Sequence, residues 1–177
     1  MKKKILTMAI ALMSIGLSSN LKAQTTDATA NATANAEIIS VLTIVNVSNL
    51  NFGGIPSPAA ETVITMEPSS GGSITSGLNA FSTAGDLSAA EFTINGEEDY
   101  AYSIELPTTI ALSGDTGGAD MTVSNFKHNG NPTGTGGSVL YGGNSKTLYV
   151  GADLTIGINQ LAGTYSAPAF DVTVSYN

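Results

Sequence analysis

Apolar and polar residues alternate with a period of two along most of this chain, the signature of half-buried strands. The longest run is Lys146 to Asn159. Leu148, Val150, Ala152, Leu154, Ile156 and Ile158 share one face; Thr147, Tyr149, Gly151, Asp153, Thr155, Gly157 and Asn159 share the other. Gly151 or Gly157 marks a bend or bulge within it. A last strand is expected over Phe170 to Tyr176, with Phe170, Val172, Val174 and Tyr176 inward and Asp171, Thr173 and Ser175 outward. Ala90, Phe92 and Ile94 lead into the polar turn Gly96-Glu97-Glu98-Asp99, and Tyr100, Tyr102, Ile104 and Leu106 return to Pro107, which reads as a hairpin. Shorter strands are expected at Glu61–Met66, Leu78–Ser82, Thr109–Leu112, Met121–Phe126 and Val139–Tyr141, with a brief alternating piece at Leu50-Asn51-Phe52. Lys127 to Gly137 reads as a loop. After Ala23 no stretch repeats apolar residues at helical spacing over three turns. Many short strands at close spacing predict an all-β, antiparallel sandwich or barrel.

The chain opens differently. Lys2, Lys3 and Lys4 precede an apolar run from Ile5 to Leu17, and a polar stretch then ends at Leu21-Lys22-Ala23. A basic start, a short apolar centre and a small residue at the end describe an export signal in residues 1–23, removed within about three residues of Gln24. The run is shorter than the ~20 residues a spanning helix needs. Cleavage there leaves 24–37 as an N-terminal extension and 38–177 as one domain.

Within the extension, residues 28–36 read Ala-Thr-Ala-Asn-Ala-Thr-Ala-Asn-Ala, and the phase continues to Ile38. Ala28, Ala30, Ala32, Ala34, Ala36 and Ile38 thus form one narrow apolar face, suited to a shallow groove. From Ile38 to Val47 the β-branched content predicts a strong strand. The extended stretch would reach about 65 Å at about 3.3 Å per residue. Either it bends and uses both sheets, or its first part leaves the domain.

Charge narrows the partners. The chain has 14 acidic residues, six lysines, no arginine, one histidine and no cysteine, for a net charge of −8. Lys127 and Lys146 are the only cations after residue 23. Phosphate backbones require clustered Lys and Arg, so nucleic acid is excluded as a partner. Disulfides and thiolate chemistry are excluded as well.

The residues offer no convincing catalytic constellation. His128 stands alone in Lys127-His128-Asn129-Gly130, read as a solvated loop. No metal-ligand spacing surrounds it and no nucleophile elbow accompanies it. Glu97-Glu98-Asp99 reads as a turn rather than a carboxylate pair. The segment before Thr147 lacks the glycines of a P-loop. Asp115 and Asp120 read as turn formers. The chain is therefore expected to be non-enzymatic, with no cofactor and no metal.

Three groups of residues carry a family resemblance: the alternating start leading to Leu50-Asn51-Phe52-Gly53; Ala90-Glu91-Phe92-Thr93-Ile94-Asn95-Gly96 with Tyr100-Ala101-Tyr102-Ser103-Ile104; and Leu148-Tyr149-Val150-Gly151-Ala152, Ala162-Gly163-Thr164-Tyr165 and Phe170 to Asn177. Together they resemble a family of exported bacterial domains of unknown function. More distantly they are similar to spore coat protein U and the archaic chaperone–usher pilins. The resemblance implies an immunoglobulin-like, pilin-like sandwich lacking one strand, filled by the N-terminal extension of a neighbouring subunit. On this chain the implied donor is Ala28, Ala30, Ala32, Ala34, Ala36 and Ile38. The implied acceptor groove is Phe170, Val172, Val174 and Tyr176.

Two functions follow as expectations. One is an exported structural subunit of a fimbria-like polymer at the cell surface, self-associating or joining other surface subunits, with an assembly chaperone during periplasmic transit. The other is a monomeric secreted or surface module that binds glycan or protein through exposed aromatics such as Tyr149 and Tyr141.

Overall fold

The computed structural model describes residues 27–76, 87–130, 136–139 and 143–177. The expected export signal, the strand at Leu78–Ser82 and Tyr141 lie outside the described residues. Contacts divide the chain into a unit of residues 1–37 and a unit of residues 38–177. In the first, residues 27–37 have no regular secondary structure and every one is exposed.

The second unit is an antiparallel β-sandwich, and no described residue is helical. Its strands are β1 (Thr43–Ser48), β2 (Thr62–Glu67), β3 (Ser73–Ser76), β4 (Ala90–Asn95), β5 (Ala101–Glu105), β6 (Thr109–Gly114), β7 (Met121–His128), β8 (Gly136–Val139), β9 (Ser145–Ile156), β10 (Tyr165–Ser166) and β11 (Thr173–Tyr176). The larger sheet runs β1-β4-β9-β7-β6-β10, with β2 also paired to β9 and β3 to β2. The smaller sheet runs β11-β5-β8. One core joins them: Phe92, Ile94, Val123, Phe126, Leu148, Val150, Leu154 and Ile156 from the first, Tyr102 and Ile104 from the second.

The long alternating run becomes the central strand, β9. Its first half pairs with β4, up to Ala90 opposite Val150. Its second half pairs with β2 on the same edge, starting at Thr65 opposite Asp153. Gly151 lies at the changeover. A Cβ there would run into the Met66 carbonyl, so the close approach of β2 requires a residue without one.

The expected bulge falls on β7, the neighbouring strand. Ser124 stands opposite Asp153 and Lys127 opposite Gly151, so Asn125 and Phe126 together face Ala152. Asn125 takes a left-handed φ of 49°, and its amide donates to Asp153 Oδ2 at 2.9 Å. The extra residue reverses the inward phase. Met121 and Val123 are buried before it; Phe126 and His128 are buried after it. His128 is therefore a strand residue with no exposed surface, which corrects the expectation of a solvated loop histidine. Part of the expected 127–137 loop also belongs to β8, which starts at Gly136.

The expected hairpin at residues 96–99 is a crossover instead. β4 pairs with β1 and β9, whereas β5 pairs with β11 and β8. The two strands belong to opposite sheets, because alternation specifies the face a strand buries and leaves its partner open.

Several strands are shorter than expected because their partners end. β1 starts at Thr43, opposite Asn95, the last residue of β4; residues 38–42 lie beyond the partner. β11 starts at Thr173, opposite Glu105, the last residue of β5 before Leu106-Pro107 turns away. β9 stops at Ile156, where β2 begins. Leu50-Asn51-Phe52 contributes one bridge, Asn51 to Ser88.

Candidate functional site

Among the described residues, β11 pairs only with β5. The four expected groove residues are Phe170, Val172, Val174 and Tyr176. All four are half-buried and packed against the core, and Asp171, Thr173 and Ser175 between them are exposed. The alternation thus extends three residues ahead of the ladder itself. Phe170, Val172 and Val174 point inward as expected but remain partly open, because no further strand covers that side of β11 among the described residues. The open main-chain edge and the incompletely covered apolar row coincide, a combination that favours addition of a strand.

The two ends of this row differ. At one end Phe170 packs against Phe126 of β7, ring centroids 5.3 Å apart. A cleft of about 370 Å³ opens here, with Leu106, Pro107, Ile110, Ala169 and Phe170 as its apolar lining and Glu105, Asp171 and Thr173 completing it. Sequence periodicity missed this cleft, because its walls come from a crossover loop and the chain ahead of β11.

At the other end, Tyr176 is clasped. Its ring stands edge-on to Tyr100 at 6.0 Å. Its hydroxyl donates to the Ser40 carbonyl at 3.0 Å and accepts from the Glu97 N–H at 2.6 Å. The Glu97 carboxylate in turn accepts from the Ser40 N–H at 2.8 Å. The bond to Ser40 holds the Glu97 carboxyl below the usual glutamate range, although the group is exposed. The polar turn expected at residues 96–99 therefore fixes the chain where it enters the domain, which no spacing in the sequence announced.

The expected donor residues are placed as follows. Ala28, Ala30, Ala32, Ala34 and Ala36 are exposed and in no strand. Ile38, two residues before the Ser40 clasp, is 97% exposed, and Val41 is 80% exposed. Val45 and Val47 of β1 are also exposed, continuing an apolar row along this edge strand.

Tyr149 is half-buried, its main chain tied to Asn129: Asn129 N–H donates to the Tyr149 carbonyl, and Tyr149 N–H to Asn129 Oδ1, both at 3.1 Å. His128 Nδ1 accepts from the Gly130 N–H at 3.1 Å, while Nε2 is buried without a hydrogen-bond partner among the described residues. Burial, and then the charge of Lys146, push the His128 pKa down. Lys127, on the opposite face, pairs with Glu67 at 3.1 Å. Among the described residues no cluster of three or more His, Asp or Glu side chains could hold a metal, and no helix is long and apolar enough to cross a membrane.

Residues 42–176 match the family model described as a domain of unknown function, DUF4402. No curated protein and no solved structure matches the chain.

Proposed function

The chain belongs to the DUF4402 family, domains of unknown function, and for this member we propose, on the geometry of β11, an exported structural subunit of a fimbria-like surface polymer, assembled by strand addition between copies. The observation that carries this reading is the state of β11: among the described residues, an edge strand with a half-buried apolar row beneath its unpaired side. An added extended segment would gain main-chain hydrogen bonds from the edge and contacts from every second side chain. Ala28 to Ile38 supplies the matching period, and its described residues are exposed and unpaired into any strand. Shallow pockets along a half-covered row suit Ala better than bulk. The N-terminal run of Lys2 to Ala23 supports export, and a strongly acidic surface suits a soluble extracellular subunit.

The test is electron microscopy of the native cell surface and of exported protein, combined with deletion of residues 25–36. Filaments containing this chain, lost with the deletion, support the proposal. A wild-type protein that stays monomeric at high concentration, on cells without such filaments, removes it and favours a monomeric binding module.

A further inference from the structure

We propose that Ile38 of one copy seats in the cleft beside Phe170 of the next, making a head-to-tail joint in which the two domains touch directly. This rests on the strand-addition reading above and specifies its geometry. Every ladder in the described structure is antiparallel, in both sheets. A strand added to β11 in the same sense places its C-terminal end beside the start of β11. That end of the donor carries Ile38, the one large apolar residue in the series from Ala28. The start of β11 is where the cleft opens, lined by Leu106, Pro107, Ile110 and Phe170. The bulky side chain thus arrives at the end of the row where the cleft opens, and the alanines fall along Val172, Val174 and Tyr176.

The clasp fixes the other half of the joint. Ser40 is held by Tyr176 and Glu97, so the extension leaves its own domain at the Tyr176 end of β11. The cleft is at the Phe170 end, about 20 Å away along an extended chain. Departure and reception lie at opposite ends, so each copy receives at one pole and donates from the other. Such a contact is heterologous and propagates as an open chain of subunits. Only Ile39 separates Ile38 from the clasped Ser40, so Ile38 reaches a neighbour's cleft only if the two domains abut. The reverse polarity would send Ile38 to the Tyr176 end, where the receiving copy's own Ser40 and Glu97 already sit. Beside Ile38, the outward Glu37 comes to a rim that carries Glu105 and Asp171, so the joint tightens as salt screens these carboxylates.

Cysteine scanning reads the polarity. One exported protein carries Thr173→Cys; a second carries Asn31→Cys, Thr33→Cys, Asn35→Cys or Glu37→Cys, and the two are mixed during assembly. The scan is repeated with Ser175→Cys as acceptor. The expected result is an intermolecular disulfide whose best donor position moves two residues toward the N-terminus when the acceptor moves from 173 to 175. A shift toward the C-terminus overturns the proposal. Ile38→Ala and Ala169→Trp test the cleft. Both sites are exposed, so the monomer should keep its circular dichroism and melting temperature, while assembly weakens roughly tenfold or more. Assembly at the wild-type level in both variants overturns the assignment of the cleft even if filaments form. Failure of wild-type protein to form any intermolecular species removes the strand-addition reading itself.

Discussion

The Tyr176 hydroxyl donates to the carbonyl of Ser40, 136 residues earlier in the chain, at 3.0 Å. One side chain near the C-terminus thereby sets where the N-terminal segment enters the domain. Tyr176→Phe removes this bond and the one from the Glu97 N–H, and leaves the ring against Tyr100. The expected cost is about 1 kcal/mol in urea unfolding. Faster amide exchange at Ser40 to Leu42, with β9 unchanged, is the local signature. Unchanged exchange there would show that the clasp does not hold the segment.

Gly151→Ala is expected to destabilise the sandwich by about 1–3 kcal/mol, because the new Cβ meets the Met66 carbonyl and the adjoining backbone of Glu67 and Pro68. Backbone cannot swing away as a flexible side chain does. Gly117→Ala, where nothing lies within 4 Å, is the comparison, and its cost comes from a φ of 78° alone. Equal melting temperatures for Gly151→Ala and wild type would contradict the close packing of β2 over β9.

Stability should fall as the pH drops from 7 to 5, through His128. Its pKa is lowered from the ordinary 6.5 in the folded state, so the unfolded chain binds the proton first. The neutral ring's contribution is therefore complete above 6.5 and declines as the pH falls toward the lowered value. Glu97, lowered from 4.5, contributes its own loss only below this window. His128→Leu removes the unpartnered Nε2 and should flatten the urea midpoint between pH 7 and pH 5. A slope unchanged in that variant would place the titration elsewhere.

Truncations should separate the covered core from the open edge. Ile156, 3% exposed, is expected to cost about 2–4 kcal/mol on replacement by Ala. Val174, half-buried on β11, should cost roughly 1 kcal/mol in the monomer, since part of its surface is already wet. If β11 receives a strand, the Val174→Ala defect grows in assembled material. Denaturant titrations of monomer and polymer measure both.

Period-two alternation made β2, β4, β5, β6, β7 and β9 legible in the sequence, whereas β3 and β10, four and two residues long, are too short to declare themselves. Ala90 to Asn95 buries Ala90, Phe92 and Ile94 as its spelling implies, and β9 buries Leu148, Val150, Leu154 and Ile156. These features are local: consecutive side chains of an extended chain point to opposite faces, so composition at every second position declares the buried side. The alternation of Phe170 to Tyr176 was legible for the same reason. Pairing is not local. Whether Gly96 to Tyr100 closes a hairpin or crosses to the other sheet depends on which strands compete for the β4 edge, and β1 and β9 take both sides of it. The burial of His128 depends on one extra residue at Asn125, opposite Ala152, which reverses the inward phase for the rest of β7. The cleft beside Phe170 and the clasp on Ser40 are likewise products of tertiary structure. Each joins segments far apart in the chain, and distance in sequence carries no record of proximity in space.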